Sequence, residues 1–155
     1  MRKIKISATM ITFIMLLVGC EKEKDPAGLR GVGIIPIISD VNPGIFDSKD
    51  LKNSFVELTV NLESGKAAEK AVIEGSYNSN FERIKLAEVT SFPANVRIIS
   101  GDVIQKLGIK ESDIVNGDVF TFEVVTTANG LTTRSTAILR VVVSCAYEHA
   151  LTFAF

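Results

Sequence analysis

The chain has 155 residues, 46% of them hydrophobic, with 17 Lys and Arg against 18 Asp and Glu for a formal charge of −1. That is one domain's worth of chain, enough to bury a core. No run of Lys and Arg offers the clustered cations that phosphates demand, so a nucleic-acid partner is excluded.

From the start, Arg2, Lys3 and Lys5 precede an apolar run from Ile6 to Val18, which is too short to span a bilayer as a helix. Small Gly19 and then Cys20 close it, and the charged run Glu21-Lys22-Glu23-Lys24-Asp25 follows. The stretch Leu17-Val18-Gly19-Cys20 resembles the lipobox of bacterial lipoprotein signal sequences. The chemistry asks for these residue types: a Cys for the thioether, a small residue before the cut, and an apolar lead-in for an enzyme embedded in the membrane. The resemblance implies that residues 1–19 are a signal peptide, that Cys20 carries diacylglycerol and an amide-linked acyl chain such as palmitate, and that this anchor is the membrane partner.

Residues 1–19 hold three of the cations and no Asp or Glu, so the remaining chain has 14 Lys and Arg against 18 acids, a charge of −4. With Cys20 lipidated, Cys145 is the remaining thiol in an oxidising compartment, where exported domains usually pair their cysteines. It reads as a buried free Cys, a small hydrophobe at a strand end. Intermolecular pairing, or a partner beyond Phe155, are the alternatives.

Residues 20–33 read as a flexible tether, since Pro26, Gly28, Gly31 and Gly33 with scattered charges bury too little to order themselves. The glycines fail as a phosphate loop because Ile34-Ile35-Pro36 follows where a helix is required. From Ile34 to Cys145 short β-type runs alternate with turn chemistry, which predicts an all-β domain over 34–145. Asn42-Pro43-Gly44 and Asp47-Ser48-Lys49-Asp50 are turns. Phe55 to Leu62 alternates, with Val56, Leu58, Val60 and Leu62 on one face. Ala71, Ile73, Gly75 and Tyr77 repeat the pattern. Tyr77-Asn78-Ser79-Asn80 turns into a strand from Glu82 to Val89, with Ile84 and Leu86 inward. Pro93 breaks that run before Asn95 to Ile99.

One helix is expected. Ser100 is its predicted cap, Asp102 lies in its first turn, Val103, Ile104 and Leu107 form its apolar face, and Gly108 ends it, which makes it a short crossover between two strands. A turn at Ser112-Asp113 leads through Asn116-Gly117 to the strongest strand signal, Val119 to Thr127, with Phe120, Phe122 and Val124 inward. Ala128-Asn129-Gly130 turns, and Leu131 to Val143 returns with Leu139, Val141 and Val143 inward, giving a central hairpin.

The run Gly117-Asp118-Val119-Phe120-Thr121-Phe122-Glu123-Val124, with Asn129-Gly130 and Arg134-Ser135, is similar to the terminal hairpin of immunoglobulin-like domains in surface lipoproteins of Bacteroidota, often encoded beside glycan-uptake systems. The resemblance covers the second half of the chain. It implies an immunoglobulin-like antiparallel β-sandwich, display at the cell surface on the outer membrane, and no particular chemistry. The charges after Cys20 likewise resemble the acidic export signals of such lipoproteins. Relatives of that type usually continue past the cysteine-containing strand, so the chain is expected to be a truncated member, with residues 146–155 a C-terminal tail or edge strand. The alternation Tyr147, His149, Leu151, Phe153, Phe155 resembles the closing strand of an outer-membrane barrel, but Glu57, Arg83, Lys85, Glu123, Arg134 and Arg140 give the other strands wet faces.

Candidate chemistry is sparse. His149 is the sole histidine, four residues beyond Cys145, with no orienting acid, and reads as an exposed tail residue. One His and one unlipidated Cys do not make an ordinary zinc site. Asp47 and Asp50 supply too few oxygens for calcium, and nothing marks out a carboxylate pair for glycoside hydrolysis. No catalytic residue, metal or cofactor is therefore expected. The chain reads as a non-enzymatic display or binding module with a glycan or protein partner. The alternatives are a hydrolytic, glycan-active enzyme of the same compartment, or the remnant of a longer multidomain lipoprotein.

Overall fold

A computed structural model of the chain describes residues 33–145. The lipobox residues Leu17, Val18, Gly19 and Cys20, the tether as far as Val32, and the tail with Tyr147 and His149 lie outside the described residues. In chain order the elements are β1 (Pro36–Asn42), β2 (Ile45–Asp47), β3 (Phe55–Leu62), β4 (Lys70–Tyr77), β5 (Ile84–Val89), β6 (Ala94–Ile99), α1 (Ser100–Leu107), a single 3-10 turn (Glu111–Asp113), β7 (Val119–Ala128), β8 (Leu131–Arg134) and β9 (Leu139–Ser144). Strands dominate and form two sheets. A three-stranded one runs β1-β3-β6, and a larger one runs β2-β9-β7-β4-β5, with β8 also paired to β7.

Strict alternation decides which side of each strand is dry. In β3, Val56, Leu58, Val60 and Leu62 are buried while Glu57 and Asn61 are exposed, as their period of two predicts. In β7, Phe120, Phe122 and Val124 point the same way and are buried. Val56, Leu58 and Val60 of β3 and the β7 row, with Ala71 and Ile73 of β4 and Val141 and Val143 of β9, belong to one contiguous apolar cluster. One core shared by two sheets makes the fold all-β and sandwich-like.

Phe46 completes that core. It comes from β2, a three-residue strand too short to announce itself by periodicity, and is fully buried. Its ring meets Phe120 and Phe122 edge-on, with centroids 5.3 and 6.2 Å away. β2 runs parallel to β9, pairing Ile45 with Val142 and Asp47 with Ser144.

Three details depart from the expected elements. First, the return from Gly130 is two strands, not one. Ser135 is buried, and its hydroxyl donates to the Ala137 carbonyl at 2.8 Å and accepts from the Ala137 N–H at 3.0 Å, a local turn that interrupts the ladder. Register passes from Val125 opposite Arg134 to Phe122 opposite Leu139. The two extra residues are an even number, so Leu139, Val141 and Val143 keep their inward phase. Second, β5 carries a bulge, since Ile73 pairs with Ala87 and Glu74 with Lys85. Leu86 leans over Gly75, where a Cβ would stand 2.7 Å from Leu86 Cδ1, and beyond the bulge Ala87 and Val89 also pack on the core.

Third, Ser100 does not cap α1. Ile99 holds the cap position in extended conformation without a side-chain bond, and Ser100 is the first helical residue. Its buried hydroxyl donates instead to the carbonyls of Leu51 and Ser54, tying the helix start to the loop before β3. The adjacent Gly101 explains the close approach, because a Cβ there would lie 2.6 Å from the Lys52 carbonyl oxygen. Gly108 does end the helix as expected, left-handed at φ 67, with its N–H on the Gln105 carbonyl.

Candidate functional site: the open face of the three-stranded sheet

The wet row of β3 is Glu57 and Thr59, and antiparallel register sets Arg97 and Asn95 of β6 directly opposite them. Arg97 Nη1 bonds Glu57 Oε1 at 3.1 Å, and Thr59 Oγ1 donates to Asn95 Oδ1 at 3.0 Å. The Arg97 guanidinium also lies 3.4 Å from the centroid of the Phe55 ring, a cation–π contact that holds the long side chain flat along the sheet. On the other side of β3, Ser39 pairs with Thr59 but Asn42 pairs with Glu57, so β1 carries an extra residue there. Asp40 sits in that bulge at φ 52, a left-handed conformation uncommon outside glycine. Its carboxylate accepts from Ser39 Oγ at 2.9 Å.

Beside the bulge the sheet face carries a shallow, open cleft of about 560 Å³, lined by Asp40, Glu57, Thr59, Asn95 and Arg97 together with Leu58 and Val96. The last two side chains are buried in the core, so the side chains that open onto the cleft are those of the polar residues. Glu57 and Arg97 keep 52% and 53% of their side-chain surface open. Apolar Ile37 and Val41 of β1 are also exposed.

The larger sheet presents a different outer surface. Glu74 of β4 and Glu123 of β7 are direct cross-strand neighbours, a like-charge pair that is unfavourable by itself. Arg134 Nη1 bridges both carboxylates, at 2.6 Å from Glu74 Oε2. Arg83 grips Glu123 with a fork, Nε to Oε2 at 2.8 Å and Nη2 to Oε1 at 3.0 Å. Glu123, expected on a wet face, is only 6% exposed. The Arg83 hydrogen bonds hold its carboxyl below the ordinary value against the opposing effect of burial, and Arg134 adds to them. Glycoside hydrolysis asks for two carboxylates close together, but its proton donor needs a raised pKa, whereas Glu123 is held ionised.

A third polar cluster closes one end of β4. The Tyr77 hydroxyl donates to Asp118, which also accepts from Asn78 Nδ2 and the Val115 N–H, each at 2.8 Å. Burial and then the Asp118 carboxylate push the Tyr77 phenol from 10.0 to about 12. The Tyr77 bond is the main cause of the lowered Asp118 pKa.

Cys145 is half-buried, not buried, directly after β9. Its Sγ lies 3.3 Å from Ser48 Oγ and 3.7 Å from Asn116 Nδ2, and the Ser48 bond is the main cause of a lowered thiol pKa. Asp47 Oδ1 accepts from the Lys49 N–H at 2.9 Å and Asp50 Oδ1 from Asn53 Nδ2 at 2.8 Å, the bonding of a turn. Among the described residues, no group of three or more His, Cys, Asp or Glu is placed to hold a metal, and no helix is long and apolar enough to cross a membrane.

Sequence reasoning missed Asp40 and the cleft. A bulge leaves no composition signal when its extra residue is an ordinary Asp, and the pairing of Glu57 with Arg97 is a matter of register between strands 40 residues apart. No model of a known protein family matches the chain, and no curated protein matches it.

Proposed function

We propose that the chain is a surface lipoprotein of the outer membrane, anchored through lipidated Cys20, whose immunoglobulin-like domain is a non-enzymatic binding or display module. The lipobox spacing from Leu17 to Cys20 supports the anchor. The strand order supports the immunoglobulin-like assignment. Reading β1, β3 and β6 as strands A, B and E, and β9, β7, β4 and β5 as G, F, C and C′, reproduces the pairing order of that fold. On that reading β2 is a short continuation of the first strand, moved to the opposite sheet, and α1 occupies the E–F connection.

The observation that carries the binding role is the contrast in polar groups. Both faces carry cross-strand ion pairs, but Glu123 on the larger sheet is closed in between two arginines with 8% of its side chain exposed, while Glu57 in the cleft keeps 52%. Feeding an alkyne-tagged palmitate to cells that express the full chain tests the anchor. Label on the wild type and none on Cys20→Ser is expected, together with release of the variant from the membrane fraction, and labelled Cys20→Ser would overturn it. Digestion of intact cells with protease tests the surface face, where loss of the protein is expected. Turnover of any polysaccharide in a substrate panel, lost on changing one Asp or Glu without unfolding, would overturn the non-enzymatic reading in favour of a hydrolase.

A further inference from the structure

We propose that the cleft over β1, β3 and β6 binds an uncharged, hydroxyl-rich ligand, a neutral glycan chain, with Asp40 and Glu57 as acceptors and Arg97, Asn95 and Thr59 as the mixed donor side. This deepens the binding-module reading and rests on it.

The ligand class follows by elimination from the lining. The volume, about 560 Å³, lies in the range of small-molecule sites. Wholly apolar ligands are disfavoured, since Leu58 and Val96 direct their side chains into the core and the lining is mostly polar, with an apolar share from side-chain stems and backbone. An extended peptide adding a strand needs free main-chain donors and acceptors; those are offered by the outer edges of β1 and β6, where an added strand would lie beside the sheet and not over the cleft, whose floor strand β3 is paired on both sides. Anionic chains meet two carboxylates, Asp40 and Glu57, against one guanidinium, and the cations needed to hold phosphate, sulfate or uronate are absent from the lining.

What the lining does offer is alternating acceptors and donors on a rigid plane. Carboxylates take hydroxyl protons in charge-assisted bonds, while amide and guanidinium groups donate to hydroxyl and ring oxygens. The donors are fixed before any ligand arrives. Phe55 and Glu57 hold Arg97 from two sides, and the Thr59 bond fixes Asn95, so little rotamer freedom is lost on binding. Asp40 fits the same account. Its left-handed backbone is an uncommon conformation for a residue with a side chain, and it places a carboxylate at the rim of the cleft.

The test uses the full chain in mild detergent on an array of neutral polysaccharides, an α-glucan, a β-glucan and a mannan, with polygalacturonate and heparin as anionic controls. Saturable binding to at least one neutral chain and none to the anionic ones is expected. Arg97→Met, which keeps the length of the stem, and Thr59→Val, which keeps shape and strand preference, should each weaken it, Arg97→Met by about tenfold. Lys85→Ala on the opposite sheet should leave it unchanged. Circular dichroism and thermal unfolding confirm that each variant is folded. Binding that survives both cleft variants, preference for the anionic chains, or no binding to any neutral chain would each overturn the proposal. These outcomes leave palmitate labelling of Cys20 intact, and loss of labelling with retained binding would overturn the anchor alone.

Discussion

The two outer faces of this molecule are built from the same alternating pattern and end up in opposite conditions. On the larger sheet, Glu74, Glu123, Arg83 and Arg134 are tied to one another, and Glu123 is nearly closed off from water. On the three-stranded sheet, Glu57 and Arg97 pair across strands in the same manner yet stay half open, in a cleft beside the Asp40 bulge. The position of the arginines explains part of the difference. Glu123 sits on β7 between Arg134 of the neighbouring β8 and Arg83, just before β5 on the far side of β4, so guanidiniums reach it from two directions, whereas Glu57 on β3 meets one arginine, Arg97 of β6. A carboxylate closed in between its partners holds a fold, and a paired carboxylate left half open also presents a surface.

The comparison rests on a core that both sheets share, and breaking that core should have the largest effect. Phe46→Ala and Phe120→Ala remove rings that are fully buried and in edge-on contact, and each is expected to cost about 3–5 kcal/mol in urea unfolding. A near-neutral result at Phe46 would mean that β2 does not belong to the core.

Next comes the closed face. Glu123→Ala releases two guanidiniums that are already more than a third exposed and can rehydrate, so a loss of about 1–3 kcal/mol is expected rather than the larger cost of a fully buried pair. The dependence on pH has a definite sign. Because the folded carboxyl titrates below its ordinary 4.5, its stabilising contribution is complete above that value and disappears as pH falls through the lowered folded pKa. Glu123→Gln should therefore be less stable than the wild type at pH 7, and the gap should narrow on acidification.

Much of this architecture was legible in the residues, for a physical reason. Strands such as Phe55–Leu62 and Val119–Ala128 are long enough for a period of two to declare itself, and burial follows that period. The all-β class, the helix at Ser100–Leu107 and its end at Gly108 were read on local signals alone. What escaped depends on partners distant in the chain. Phe46 is in a strand of three residues. Ser100 has the composition of a cap, yet the carbonyls that claim its hydroxyl belong to Leu51 and Ser54. Glu123 looks like any wet-face acid until Arg83 and Arg134 arrive from elsewhere in the chain. The cleft needs both register and a bulge, and neither is carried by composition.

A smaller effect is expected at the lock beside β4. Tyr77 packs at a tilt against Phe120 with centroids 5.1 Å apart, and its hydroxyl is bound to Asp118. Tyr77→Phe keeps the ring and loses the bond, a cost of about 1 kcal/mol at neutral pH. The folded phenol titrates above its unfolded value, so its contribution is present below pH 10.0 and is lost as pH rises through about 12. The wild type should lose stability over that alkaline interval more steeply than Tyr77→Phe, and parallel profiles would show that the Asp118 bond does not govern the titration.

The smallest effect is the most discriminating for the comparison itself. Arg97 makes one exposed ion pair and one exposed cation–π contact, interactions each worth about 0–1 kcal/mol where water screens them. Arg97→Met keeps an aliphatic stem over the Phe55 ring and should change stability by less than about 1 kcal/mol, well under the loss at Glu123. Raising salt to about 1 M shortens the screening length to about 3 Å and should shrink the Arg97→Met effect further, while the nearly closed Glu123 pairs keep most of theirs. If the two faces instead responded alike, with Arg97 as costly to remove as Glu123 and as insensitive to salt, the three-stranded face would be structural as well. The half-open groups lining its cleft would then be fastenings of the sheet rather than a surface offered to a ligand.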